Sequence, residues 1–216
     1  MNPEWVIRPY RPDDRKALFR IAGDTAFFGN PIEAYMEDRK LFLDAFYGYY
    51  TDYEPEQAWV AVADDHVIGF LVGSIDPKKH RRTMMLKVTP KLIMRLVRGE
   101  YRIGPKSRRY LREVVLAFAR REIPGADETI YPAHLHVNVD IHWRGYGIGK
   151  GLLMTYLGHL RRLGVPGVHL QTTNLNRAAC HVYESLGFSL LEARKTRMWE
   201  WIINEKVENR CYGLRL

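Results

Sequence analysis

His134 and His136 stand two positions apart in "AHLHVNV". Residues two apart in an extended chain share a face, so both imidazoles project together with the side chain of Asn138. An imidazole, with an ordinary pKa of about 6.5, can take or give a proton close to neutrality. Just downstream, Arg144-Gly145-Tyr146-Gly147-Ile148-Gly149-Lys150 separates this strand from an apolar helix. Glycines there let backbone N–H groups approach an anion with no Cβ in the way, and a following helix adds unsatisfied N–H groups and the positive end of its dipole. A phosphate or pyrophosphate is the natural guest. Two familiar phosphate loops are excluded by the letters. Lys150 is followed by Gly151 rather than Ser or Thr, and the order is G-x-G-x-G rather than G-x-G-x-x-G.

The elements that must position these residues follow from periodicity. "EWVIRPY" reads as a first strand, followed by a helix with Asp13 or Asp14 near its start and a second helical stretch from about Pro31 to Tyr50. "QAWVAVADDHVIGFLVGSID" reads as a hairpin turning at Asp64-Asp65 with an apolar inner face. Residues 78–125 form a basic helical insertion before the fourth strand. Thr89 is its first expected N-cap, Ser107 opens a second helix, and Leu111, Val114, Val115 and Phe118 form that helix's apolar stripe. Then come a strand at 134–140, the glycine turn, a helix at 149–163, the strand "GVHLQTT", the helix "NRAACHVYESLG", the strand "FSLLEARKT" and a last strand within "ENRCYGLRL". The stretch Trp199–Glu205 has no clear assignment. This order predicts one α/β (α+β) domain over 1–216, with a central, mixed, largely antiparallel sheet flanked by helices.

The net charge of +8 is strongly polarised. Between Lys78 and Arg121 there are 15 Lys and Arg against two acids, whereas residues 31–56 hold seven acids, two bases and many tyrosines. Few aromatics interleave with the basic residues, which speaks against nucleic acid as a partner. A solvated face is the first reading of the insertion, and help with phosphates the second. In the acidic segment, Glu33, Glu37, Asp38 and Asp52 could attract a cationic amine, and Tyr47, Tyr49, Tyr50 and Tyr53 could stack on it. Equally, those acids could face the basic insertion of their own chain.

Two cysteines 31 positions apart, with no ligand cluster, indicate neither a disulfide framework nor a zinc site. No carboxylate falls at ligand spacing from His134 and His136, so no metal is expected. No apolar run is long enough to cross a bilayer and the N-terminus lacks a leader pattern, which predicts a cytoplasmic protein without a membrane partner.

"VDIHWRGYGIGKGLL" resembles the acetyl-CoA-binding motif of the GNAT N-acetyltransferase superfamily, R/Q-x-x-G-x-G/A after the fourth strand, with Arg144, Gly147 and Gly149 in register. About thirty residues on, "NRAACHVYESLGF" resembles the superfamily's second motif through Asn176, Ala179, Tyr183, Gly187 and Phe188. "AHLHV" is similar to the His-x-His of the arylalkylamine N-acetyltransferases. "PAHLHV" is closer still to the acetyltransferase-like domain of O-GlcNAc hydrolases and its free-standing bacterial relatives, a group in which some members do not bind acetyl-CoA.

The resemblance implies that the backbone of Val137, Asn138 and Val139 holds a pantetheine arm. It implies that Arg144, Gly145, Tyr146, Gly147, Ile148, Gly149 and Lys150 cradle a pyrophosphate. Asn176, with Ala179 beside it, would meet the pantetheine, and Tyr183 would sit near the thioester sulfur. The expected activity is transfer of acetyl from acetyl-CoA to a primary amine of a small molecule or amino sugar. His134 or His136 would act as general base and Tyr183 as general acid, since a phenol and a thiol have similar acidity. Many relatives are dimers, so a homodimer is an expectation. The alternative is a catalytically silent module of the same fold that holds a macromolecular partner.

Overall fold

The computed structural model describes residues 4–216, so Met1 to Pro3, part of the stretch read for a leader, lie outside it. Seven strands form one sheet in the order β1-β2-β3-β4-β5-β7-β6. They are β1 (Val6–Pro9), β2 (Ala58–Ala63), β3 (His66–Ser74), β4 (Ala133–Val139), β5 (Gly167–Thr173), β6 (Ser189–Thr196) and β7 (Val207–Arg215). Only the central pair, β4 with β5, is parallel.

Each half of the sheet is well paired. β4 follows β3 from Ser74↔His134 to Gly69↔Val139, and β5 follows β7 over its whole length. Between the halves, only Ala133↔Val168 and His134↔His169 are in register. Beyond His134 the two strands diverge into a fork.

Both sheet faces are covered, so β2 is buried throughout rather than on one face only. The hairpin turns at Asp64 and Asp65, both at positive φ (46° and 61°), as the favoured two-residue turn requires. On one face lie α1 (Arg15–Asp24), α2 (Arg39–Phe46) and α3 (Gly48–Tyr53), over a core containing Leu18, Ile21, Met36, Tyr49, Phe70 and Val72. On the other lie α7 (Ile148–Arg162) and α8 (Arg177–Ser185), over Leu71, Leu135, Leu152, Tyr156 and Tyr212. The helical stretch expected at Pro31–Tyr50 is therefore broken: a single 3-10 turn at Ile32–Ala34 precedes α2, and Tyr47 separates α2 from α3.

The insertion lies between β3 and β4 and corrects three expectations. Thr89 does not cap a helix. Its backbone is helical (φ −58°, ψ −46°), within one path running from α4 (Pro77–Thr83) through a widened turn at Met84–Val88 into α5 (Thr89–Val97). The widened turn admits Pro90, whose missing N–H would interrupt a regular ladder. The cap is Asp76, which accepts from the N–H groups of Lys78 and Lys79 at 2.9 Å.

Nor does Ser107 open the next helix. That helix, α6 (Pro105–Ala119), begins after Gly104, and Glu37 caps it from across the fold, accepting from the N–H groups of Lys106 at 2.8 Å and Ser107 at 2.9 Å. Finally, the stripe Leu111, Val115, Phe118 faces outward, at 45, 66 and 65% exposed, while Ser107, Tyr110, Glu113 and Ala117 face inward. Two rows of this helix have apolar spacing, and packing selects Tyr110, Val114 and Ala117.

The two charged poles meet, as the second reading of the acidic segment expected. Arg95 pairs with Asp44 at 2.6 Å, Lys40 with Glu100 at 3.2 Å and Lys79 with the buried Glu54 at 3.1 Å, while the N–H of Arg102 donates to Asp38 at 2.6 Å.

Candidate active site

Where β4 and β5 part, a cavity of about 280 Å³ opens through the sheet. Leu135–Asn138 of β4 and Leu170–Thr173 of β5 form its sides, with Asn176, just before α8, and Tyr183 of α8 at one end. The chain thus brings His136, Asn138, Asn176 and Tyr183 to one space. His134 lies one residue pair further back, where the strands are still joined.

His134, His136 and Asn138 share the α1–α3 face, as the alternation predicts. The hydroxyl of Tyr50 stands 2.8 Å from Nε2 of His134 and 3.1 Å from Nε2 of His136. A phenol has one proton, so Tyr50 can donate to one imidazole only while accepting from the other, and the three groups form a directed chain. His80 of α4 packs against His134 with ring centroids 4.8 Å apart, and His169 of β5 lies 5.9 Å from it. Burial holds His136 neutral, lowering its pKa to about 4, with the neighbouring His80 and His169 acting in the same direction. His134 is pushed well below the usual histidine range by burial and then by the three surrounding imidazoles. Asn138 is fixed by donating to the Thr25 hydroxyl at 2.7 Å and accepting from Tyr47 at 3.3 Å.

Tyr183 is 6% exposed and packs on Phe188 and Tyr212. Burial pushes its pKa up, so the phenol keeps its proton at neutral pH.

The glycine turn opens on the far side of β4. Gly145 and Gly147 have φ of 85° and 79°, with open space where a Cβ would stand. Gly147 ends the turn, and no side chain caps α7, which leaves its first N–H groups for a guest. Arg144, Tyr146 and Lys150 are exposed around this cradle, while Ile148 is buried beneath it. The Arg144 guanidinium donates to the carbonyl of Gly29 at 3.0 Å. Beyond His134, the edge of β4 that bears Val137, Asn138 and Val139 has no strand partner on the β5 side. Ala179 packs beside the second core, and Asn176 reaches Thr172 at 3.3 Å.

The acidic side chains do not reach the cavity. Glu33 pairs with Arg39 at 2.9 Å, Asp38 accepts from the N–H of Leu41 at 2.8 Å, Asp52 is held by Arg15, and Glu37 caps α6. Of the four tyrosines, only Tyr47 lines it: Tyr50 bridges the histidines, Tyr49 packs on His80, and Tyr53 lies under the ammonium of Lys87. Instead the far wall is built from Phe28, Tyr35, Phe42, Phe46, Tyr110 and Trp199. No motif marks those residues, and Trp199 comes from the stretch without an assignment.

A seven-stranded, largely antiparallel sheet forked between its fourth and fifth strands, with a glycine cradle after the fourth, defines the GNAT acetyltransferase fold. Residues 115–188, about a third of the chain, match the model of the acetyltransferase (GNAT) family. The solved structure of SsHAT is 29% identical, covers 99% of this chain and 98% of its own, and superposes with a TM-score of 0.74. The Salmonella typhimurium protein yncA, solved with its cofactor acetyl-CoA, is 14% identical over 98% of this chain and 94% of its own, with a TM-score of 0.57, and shares the fold. Mycothiol acetyltransferase of Nocardiopsis dassonvillei is 48% identical over 54 residues, 25% of this chain and 16% of that protein. The match thus spans about a sixth of that relative's length. Among the described residues no helix is long and apolar enough to cross a membrane.

Proposed function

We propose that the chain transfers acetyl from acetyl-CoA to the primary amine of a small molecule, with His136 as general base and Tyr183 as general acid. The observation that carries this reading is the convergence of His136, Asn176 and Tyr183 on one cavity in the fork beside β4, the strand that the Arg144–Lys150 cradle follows.

Acetyl-CoA, when bound, supplies an activated acetyl thioester. The fit is supported by the open space at Gly145 and Gly147, the uncapped start of α7 and the unpartnered edge of β4. The cradle would take the pyrophosphate, and the β4 edge and Asn176 would take the pantetheine.

The chain's own groups then have two proton tasks. His136 is neutral and borders the cavity; as a weak base there, it can take the amine's proton only as the nitrogen commits to its new bond and becomes more acidic, and His134, set back behind Tyr50, is the second member of the chain rather than the base. With no carboxylate among the described residues lining the cavity to stabilise a cation, the amine itself is driven toward its neutral, nucleophilic form. At the opposite end, the Tyr183 hydroxyl holds the proton that a leaving thiolate needs.

The test is calorimetric titration with acetyl-CoA, followed by a thiol-release assay. Saturable binding that is lost in Arg144→Glu, with turnover lost in Tyr183→Phe and His136→Gln, is the expected result. An absence of binding at millimolar acetyl-CoA refutes the reading.

A further inference from the structure

The wall facing His136 is aromatic and uncharged, and besides Phe42 and Phe46 of α2 four further segments build it. The loop after α1 supplies Phe28, the 3-10 segment Tyr35, the insertion Tyr110, and the β6–β7 connection Trp199. These rings touch one another: Tyr35 and Tyr110 are 4.6 Å apart, Tyr35 and Trp199 5.2 Å, Phe28 and Trp199 5.2 Å, and Tyr110 and Trp199 5.7 Å. Phe28 is held at a positive φ of 49°, a costly conformation for a bulky residue, in a tight turn closed by the Phe27–Asn30 pairing. Among the described residues none of the lining is Asp, Glu, Lys or Arg, although the chain holds 58 such residues. Thr25 donates to Ile21 and Asn138 bonds Thr25 and Tyr47, which leaves the buried indole N–H of Trp199, without a partner among the described residues, as a polar atom of this wall.

We infer that the acceptor site selects an amine carried on a flat aromatic group, and that the basic insertion belongs to this site through Tyr110. This rests on the acetyltransferase reading above. A polyhydroxylated acceptor such as an amino sugar would bury more hydroxyl groups than the two phenols and one indole N–H of this wall can pair, whereas an aryl group stacks or meets ring edges. The short linker of an arylalkylamine would then carry its nitrogen to His136.

The test separates binding from turnover. Binding of 2-phenylethylamine and of glucosamine is measured by calorimetry, with and without CoA, and thiol release is followed for both with acetyl-CoA. We expect phenylethylamine to bind, and a kcat/KM for it at least a hundredfold above that for glucosamine. Trp199→Ala should reduce its affinity at least tenfold, and the smaller, non-aromatic Tyr110→Leu should do so severalfold while leaving acetyl-CoA binding unchanged. Equal affinities for the two amines, or no binding of the aryl amine, overturn the inference even where acetyl-CoA binds and turns over. Failure of acetyl-CoA to bind would refute the enzymatic reading instead, and the amine titration without CoA would still decide the chemistry of the cavity.

Discussion

Arg144 donates to the carbonyl of Gly29 at 3.0 Å, joining the glycine cradle to the turn that carries Phe28. The two ends of the site are thus in direct contact. Gly29 has φ of 90°, and a Cβ there would stand 2.9 Å from Nη1 of Arg144. Gly29→Ala is expected to cost about 1–3 kcal/mol of stability in urea denaturation, from the left-handed backbone and the displaced guanidinium. It should also weaken acceptor binding more than a surface Gly164→Ala change, whose Cβ would meet open space.

The Tyr50 bridge gives a prediction that separates positioning from packing. Tyr50→Phe keeps the ring against His134 and His136 but removes the hydroxyl between them. Turnover should fall by about 10- to 100-fold and the acidic limb of the kcat/KM profile should move, while affinity for acetyl-CoA stays at the parent value. An unchanged pH profile would make Tyr50 a packing residue only.

The histidine cluster also sets an acid limit on stability. Its pKa values are lower in the folded than in the unfolded chain, so between about pH 4 and 6.5 the unfolded state binds more protons, and stability rises with pH across that window. His136 alone, with its pKa lowered to about 4, is worth roughly 3 kcal/mol over that interval. Urea denaturation at pH 7 and pH 5 should show the loss, and His136→Gln should flatten the slope.

Tyr183→Phe preserves the contacts with Phe188 and Tyr212 and should leave the thermal midpoint nearly unchanged. Turnover should fall by about 100-fold or more if the phenol is the acid. Equal turnover would assign that proton to water.

Glu37 ties the insertion to the rest of the domain. Desolvation acts to raise its pKa, but the Ser107 hydroxyl and the N–H groups of Ser107 and Lys106 prevail and hold it down to about 2. Gly104 allows this approach, since a Cβ there would fall 2.4 Å from the Glu37 carboxylate. Glu37→Ala should cost about 0.5–2 kcal/mol, as loss of a helix cap does, and should loosen Tyr110 at the cavity wall. Amine affinity should fall with it.

Local patterns were enough to read one side of the site and not the other. Strand alternation puts His134, His136 and Asn138 on one face, the glycine turn follows from its spacing, and the α8 residues come from the resemblance to the GNAT superfamily's second motif. The aromatic wall escapes such reading because its members lie far apart in sequence, and each would pass for core. Tyr110 shows why: α6 has two apolar rows, and only contact with Tyr35 and Trp199 decides which one turns inward. Trp199 sits in an irregular connection with no periodicity at all. The acids at Glu33 and Asp52 were legible as charges but not as ion pairs, because Arg39 and Arg15 come to them through the fold.

The fork between β4 and β5 has a consequence for how the molecule records its own loading. Past the His134↔His169 pair, the β5-facing amides of β4 have no strand to protect them. In deuterated buffer they would label within the earliest time points, while amides facing β3 stay silent. On the proposed reading, a pantetheine arm laid along that edge would silence them too, turning one sheet edge into an isotopic gauge of donor occupancy that needs no chemistry to be read.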